Sequence, residues 1–196
     1  VHDRFERHYK DGKLDGLYTI WSQVGYKSIE TYYKNGKTHG SRVTWYDDRK
    51  RTEENYENDM REGLQIDYHY LHDAIWHKEY FKNDEQDGTS TSYYVNGKKE
   101  QEKHYKEGKE NGVRTEWNED GNKIYQGKFV QKLDCLDVEF GEEPSEKEGL
   151  HAEWHTNGKK KTEKHYKNGV ENGIRKEWDE NGKLLFEGNF IDGNEE

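Results

Sequence analysis

One spacing recurs along almost the whole chain: an aromatic residue, a glycine seven positions later, and a second aromatic residue five positions after that. The next copy begins 11 to 13 residues further on, so the unit is roughly 24 residues long and about seven copies account for the chain. Repetition on this scale is typical of folds in which each unit packs on its neighbours rather than around one central core. The regular copies are Tyr9–Gly16–Trp21, Tyr33–Gly40–Trp45, Tyr56–Gly63–Tyr68, Phe81–Gly88–Tyr93, Tyr105–Gly112–Trp117 and Tyr166–Gly173–Trp178.

Within a copy the residue pattern has a period of two. In the segment 112–117, Val113, Thr115 and Trp117 would share one face and the charged residues the other, which is typical of a half-buried strand. Asn-Gly or Asp-Gly pairs separate such segments and favour hairpin turns, because these turns need residues with positive φ. The sequence therefore predicts an all-β, elongated, single-layer antiparallel meander of about seven stacked hairpins in one domain over residues 1–196. The pairs stand at 35–36, 96–97, 120–121, 157–158, 168–169 and 181–182.

One copy is interrupted. Phe129 opens it, but its second half arrives 13 residues late, so we expect an irregular insertion at about 131–148. The insertion contains the single proline and the single cysteine of the chain. We predict a mobile loop over the acidic stretch Gly141–Glu148 and a strand over the first half of the insertion. The residues that predict this strand are Leu133, Leu136, Val138 and Phe140.

Composition limits the class of protein. Leu, Ile, Val and Phe make up about 15% of the residues and the net charge is −10, values that usually indicate disorder. Fifteen Tyr and six Trp argue against disorder, because each ring buries a large area, so we expect a thin fold without a deep core. The acidic balance makes nucleic acid an unfavourable partner. No apolar run approaches the ~20 residues of a membrane-spanning helix.

The sequence predicts neither an enzyme nor a bound cofactor. No nucleophile with a base, no acid–base pair and no phosphate-binding loop stands out. A glutamate that recurs three residues before the repeat aromatic predicts cross-strand pairing with lysines. Three histidines hold the same repeat position in different copies and are therefore too far apart to share a metal ion: His8, His104 and His165. A tighter group in the third copy lacks any enforced metal geometry, so no metal site is predicted: His69, His72, His77, Asp67 and Asp73.

These features resemble the MORN-repeat family. The segment 33–45 reads YKNGKTHGSRVTW and the segment 178–183 reads WDENGK, which is similar to the bacterial variant repeat found in antitoxin and immunity-type proteins. The resemblance covers nearly the whole chain and implies a protein-binding module, with an immunity protein that sequesters a toxin as one interpretation. A membrane-surface adaptor that binds phospholipid is the alternative, and the net charge of −10 and the lack of an amphipathic anchor argue against it. A bacterial protein of this type would lie in the cytoplasm or, if a signal peptide preceded Val1, in the periplasm or cell envelope.

Aromatic doublets in the second to fourth copies suggest where a protein partner could bind. Neighbouring residues of a strand point to opposite faces, so a doublet places one ring on each side of the sheet. If the repeat aromatics form the core, the additional rings need another explanation. Two interpretations stay open: the rings cover a sheet that is locally poor in glycine, or they form an exposed partner-binding patch. The additional rings are Tyr32, Tyr46, Tyr80 and Tyr94.

Overall fold

A computed structural model describes residues 4–131 and 145–196. This part of the chain contains no helix, and strands account for 69% of it, which confirms the predicted all-β class. The chain divides into two compact units, Val1–Gly88 with Val95–Gly97, and Thr89–Tyr94 with Lys98–Glu196. The predicted single elongated domain over 1–196 stays a prediction.

The first unit is an antiparallel meander in which the long strands pair in the order β1-β4-β5-β6-β7-β9-β10. Two-residue strands extend some hairpins at their turns. The strands are β1 (Arg4–Glu6), β2 (Tyr9–Lys10), β3 (Lys13–Leu14), β4 (Gly16–Trp21), β5 (Lys27–Lys34), β6 (Lys37–Tyr46), β7 (Arg49–Glu57), β8 (Met60–Arg61), β9 (Gly63–Tyr68), β10 (Ile75–Lys82) and β11 (Glu85–Gln86).

The second unit repeats this plan, with the pairing order β13-β15-β16-β17-β18-β20-β21. Each strand therefore pairs with neighbours in sequence, as the repeat predicts. The strands are β12 (Gly88–Tyr93), β13 (Lys99–Lys106), β14 (Lys109–Glu110), β15 (Gly112–Trp117), β16 (Lys123–Gln131), β17 (Ser145–Trp154), β18 (Lys160–Lys167), β19 (Val170–Glu171), β20 (Gly173–Trp178), β21 (Leu184–Ile191) and β22 (Asn194–Glu195).

The repeat glycine makes room for a side chain. Gly112 has φ +143°, and a Cβ built on it would lie 2.7 Å from the Cβ of His104. The ring of His104 turns over this position, and its Nδ1 lies 2.8 Å from the carbonyl oxygen of Val113. His165 repeats the arrangement beside Gly173. The ring that the glycine accommodates thus belongs to the residue just before the repeat aromatic.

The core is thin. Three repeat aromatics, Phe81, Phe129 and Phe190, are 6–8% exposed, and among the described residues no large side chain is fully buried. Threonines fill much of the remaining interior, since Thr19 and Thr31 are only 3–4% exposed. A single layer of hairpins can bury its rings only against neighbouring strands, so the prediction of a fold without a deep core is confirmed.

Two local predictions need correction. Four of the five recurring glutamates pair with a lysine three residues earlier on the same strand, as Glu53 does with Lys50 at 2.6 Å, whereas Glu187 pairs across strands with Lys176 at 3.0 Å, as predicted. The pairs Lys27–Glu30, Lys99–Glu102 and Lys160–Glu163 repeat this contact. A register shift in β5, β7 and β18 brings the two side chains together in three of these pairs.

The predicted loop over Gly141–Glu148 is wrong at its end. Ser145 and Glu146 already belong to β17, where they pair with Gln131 and Val130. Backbone pairing in a ladder is incompatible with a free loop at these positions. The rest of this loop, and the strand predicted over 133–140, lie outside the described residues.

Candidate functional site

The most exposed aromatic cluster of the first unit lies beside the irregular turn between β9 and β10. Tyr46 is 60% exposed, and its ring centroid lies 6.1 Å from that of Tyr70, which is 59% exposed. The guanidinium of Arg51 stacks 4.1 Å from the Tyr70 centroid and 5.4 Å from that of Tyr46. These side chains border a shallow depression of about 250 Å³. We call this surface the tyrosine–arginine patch, formed by Tyr46, Asp47, Arg49, Arg51, Tyr70 and Leu71.

The irregular turn exposes the patch because it lacks the ordinary turn chemistry. In a regular copy, the Asn118 side chain accepts hydrogen bonds from the backbone N–H groups of Asp120 and Asn122. The third copy has no glycine in this turn, and a longer connection carries Leu71, which is 62% exposed. Arg49 donates a hydrogen bond to the carbonyl of Leu71 at 3.1 Å. The turn is therefore tied to the preceding hairpin while its apolar side chains face solvent.

The four predicted partner-binding tyrosines occupy different surroundings. Tyr32 and Tyr80 are 46% and 45% exposed and lie over repeat glycines, at the position that His104 holds in a later copy. Tyr46 belongs to the tyrosine–arginine patch. Tyr94 lies in the second unit and is half-buried. A partner-binding role for the four stays a prediction.

Tyr94 has the contacts of a scaffold residue. Its hydroxyl donates a hydrogen bond of 2.7 Å to the carbonyl of Trp117, 23 residues further along the chain. Burial and the nearby carboxylates raise the pKa of Tyr94, so the hydroxyl remains a donor at neutral pH. His155 holds the corresponding position two copies later and bonds to the carbonyl of Trp178 at 2.9 Å.

A larger cleft lies in the second unit. It has a volume of about 580 Å³ and combines the rings of Tyr125, Phe129 and Trp154 with side chains of both charges. Its rim includes Arg114, whose guanidinium lies 4.1 Å from the Phe129 centroid and is paired with Glu110, a residue only 7% exposed. Mixed charge above aromatic walls suits a polar ligand segment with an apolar side chain.

His151 packs among the rings beside this cleft. It is 4% exposed, its Nε2 lies 2.8 Å from the carbonyl oxygen of Lys128, and its Nδ1 lies 2.6 Å from the hydroxyl of Tyr125. Nε2–H therefore donates to the carbonyl, and Nδ1 accepts from Tyr125. Burial lowers the pKa of His151, so the ring is neutral at pH 7. These hydrogen bonds satisfy both ring nitrogens within the protein and give the imidazole a structural role.

One cluster has metal-ligating side chains. Asp67, His77 and Glu79 offer ligand atoms that all lie within 4.8 Å of one another. Burial, together with the charge of Glu79, raises the pKa of Asp67. The sequence groups Asp67 and His77 with His69 and His72, but the rings of these two histidines contact each other instead, with centroids 4.9 Å apart. This grouping misses Glu79, which the strand pairing places next to Asp67 and His77.

Three segments of the chain match the MORN repeat variant, at residues 86–107, 147–168 and 171–192. Together they cover about a third of the sequence, and they support the MORN-repeat resemblance. The search of curated proteins found no match. No helix in the described part of the chain is long and apolar enough to cross a membrane.

Proposed function

We propose that these MORN-variant repeats form a non-enzymatic protein-binding module, and that the tyrosine–arginine patch is its contact surface. The observation that carries the proposal is the stack of two exposed tyrosines on Arg51. MORN repeats generally serve as interaction modules, which supports a binding role for the chain.

The composition of the patch favours a protein partner. Tyrosine and arginine are enriched among the residues that dominate binding energy at protein interfaces. Ring stacking and the hydrogen bond from Arg49 to Leu71 hold the patch in place, so little side-chain entropy is lost when a partner binds. The counterpart of Tyr46 in the fourth copy, Tyr94, turns its hydroxyl into the sheet and offers less exposed area.

A toxin sequestered by an immunity protein is the narrower form of this proposal. It is supported by the resemblance to the bacterial variant repeat and by the net charge of −10, which suits a basic partner. Complementary charge would accelerate the encounter, and the patch would supply most of the affinity.

Affinity capture with patch variants tests the proposal. The full chain, Tyr46→Ala, Tyr70→Ala and Tyr26→Ala would be immobilised and exposed to a lysate of the source organism, with mass spectrometry of the retained proteins. Tyr26 is a matched control because it is 44% exposed and lies outside the patch. We expect a protein that the wild type and Tyr26→Ala retain and the two patch variants lose.

The purified partner then allows a quantitative check. Each patch substitution should weaken binding by about 1–3 kcal/mol, with unchanged far-ultraviolet circular dichroism. Equal affinity of all four proteins for the partner would refute the patch as the contact surface. Co-sedimentation with anionic phospholipid vesicles, for which we expect no binding, would instead favour the membrane-surface alternative.

A further inference from the structure

We infer that the first unit contains a site for a divalent transition-metal ion of the zinc type, formed by Asp67, His77 and Glu79 with the side-chain oxygen of Gln65. These residues lie on the adjacent strands β9 and β10. The site is separate from the residues of the tyrosine–arginine patch.

The strand register brings the four side chains together. Asp67 pairs directly with His77, and Gln65 pairs directly with Glu79. Residues two apart on a strand share a face, so the two pairs form a square block on one side of the sheet. Directly opposed residues have Cβ atoms about 4.5–5.5 Å apart, which lets ligand atoms of both strands reach a common point.

The distances suit a small ion. Three ligand atoms within 4.8 Å of one another can surround a point about 2.8 Å or less from each of them. Zinc requires about 2.0–2.2 Å to nitrogen and oxygen, so the side chains need to close by several tenths of an ångström. Nδ1 of His77 lies 3.9 Å from Oδ2 of Asp67, about half an ångström more than the ~3.4 Å between two ligands of a tetrahedral zinc ion. Rotation about side-chain bonds covers the difference.

Gln65 gives an independent indication of a ligand. The residue is 5% exposed, and its Nε2 donates a hydrogen bond of 3.0 Å to the carbonyl of Asn55 on the β7 side. Its Oε1 is buried without a hydrogen-bond partner among the described residues. A buried acceptor without a partner costs about 1–3 kcal/mol. Because Gln65 lies opposite Glu79 in the block, a cation bound there would satisfy this oxygen.

Charge and ligand type define the class of ion. Asp67 and Glu79 bring two carboxylates together, and Nδ1 of His77 lies beside the carboxylate of Asp67. The carboxamide of Gln86 donates to Glu79 and orients its carboxylate. One imidazole with oxygen ligands favours zinc, cobalt or nickel over calcium or magnesium, which prefer oxygen alone.

The position suggests what the ion would do. Asp67 and His77 stand at the base of the irregular hairpin that carries Tyr70 and Leu71. A metal ion there would join β9 and β10 just below the turn. Such an ion would stabilise the folded state by mass action and reduce the mobility of the turn.

Zinc binding to the full chain without an affinity tag tests the inference, by competition with a chromophoric chelator at pH 7.5. We expect one zinc ion per chain, and an increase in Kd of roughly tenfold or more in His77→Ala and in Glu79→Gln. The matched control is His69→Ala/His72→Ala, which removes two neighbouring histidines and should change Kd less than twofold. Circular dichroism would confirm that each variant folds.

Cobalt gives a second measurement. Addition of Co²⁺ to the wild type should produce visible ligand-field absorption that His77→Ala lacks and the control retains. Zinc should also raise the Tm of the wild type by more than that of Glu79→Gln at the same zinc concentration. Absence of binding to the wild type would overturn the inference. So would equal binding by His77→Ala, or loss of binding in the His69→Ala/His72→Ala control.

Discussion

Gly127→Ala should destabilise the second unit although the backbone there suits any residue. Gly127 does not have positive φ, so the substitution causes no backbone strain. A Cβ at this position would lie 2.1 Å from Nδ1 and 2.6 Å from Cγ of His151. These atoms belong to a ring that packs against Phe129 and Tyr166 and cannot swing into solvent without loss of its contacts.

The magnitude follows from what the ring would lose. Forcing an extra carbon into a packed site costs about 1–3 kcal/mol. Displacement of the ring also breaks its hydrogen bonds to Tyr125 and Lys128, each worth about 1 kcal/mol. Alanine also has less backbone entropy than glycine in the unfolded chain, which offsets about 0.4–1 kcal/mol of the lost stability. We expect a net loss of about 2–4 kcal/mol in the free energy of unfolding.

Urea unfolding followed by tryptophan fluorescence would measure this loss, and a double-mutant cycle would identify its cause. His151→Ala removes the ring that the new methyl group strikes, so Gly127→Ala should cost little more in that background. The coupling energy should therefore be close to the whole loss, about 2–4 kcal/mol. A loss below about 0.5 kcal/mol for Gly127→Ala, or additive effects of the two substitutions, would refute the reasoning.

Three further outcomes are expected. Burial lowers the pKa of His151 below its ordinary value of 6.5, so the unfolded state binds more protons than the folded state below that pH. The free energy of unfolding should therefore fall as the pH drops from 6.5 toward the folded-state pKa, by at most about 1.4 kcal/mol per pH unit. In urea titrations, His151→Gln should show a shallower pH dependence. Tyr94→Phe should lower the free energy of unfolding by about 1 kcal/mol, since it removes the hydrogen bond to Trp117, and an unchanged urea midpoint would contradict that role. Small-angle scattering should give a radius of gyration well above the ~16 Å of a compact globule of this length, and a value near 16 Å would exclude the elongated meander.

The strands could be predicted from sequence because their determinants are local. The alternation over 112–117 matches β15, Gly112–Trp117, to the residue. Asn35-Gly36 and Asn168-Gly169 both adopt positive φ, as a tight hairpin turn requires. Because every copy follows the same local rules, a strand or turn that is ambiguous in one copy can be assigned from its counterpart in the next.

Contacts between strands could not be predicted in the same way. The lysine–glutamate contact in β7 depends on a register shift, and the alternation of residue types in the sequence does not indicate where such a shift occurs. His151 is buried because Gly127, on the neighbouring strand, leaves space for its ring. Glu79 joins Asp67 and His77 through the pairing of β9 with β10. Each of these contacts requires the register, which a single sequence does not specify.

The contrast between Tyr46 and Tyr94 shows the same limit. Both follow the second aromatic residue of a copy, so the sequence predicts the same role for the two rings. Tyr94 bonds to the carbonyl of Trp117 in the next copy, which ends in a regular turn. The copy after Tyr46 ends in the irregular turn instead, and Tyr46 packs on Tyr70. The environment of each ring is therefore set by the copy that follows it.

Both proposals concern the irregular turn of the third copy and the strands beside it, and the reason is physical. In the regular hairpin of β13 and β15, Lys99 pairs with Glu102 and lies 5.7 Å from the Trp117 centroid, so these side chains are already engaged within the protein. In the third copy the irregular turn exposes Tyr70, and Gln65 keeps a buried oxygen that has no hydrogen-bond partner among the described residues, as do Nδ1 of His39 and Oε1 of Glu171 in regular copies. Exposed rings and an unsatisfied acceptor both cost stability in the isolated protein, and a bound partner or ion would recover that cost. The third copy differs from the others because its unsatisfied acceptor lies in the same hairpin as the exposed turn and the metal-ligating cluster, so its capacity for binding is concentrated where the repeat loses its regularity.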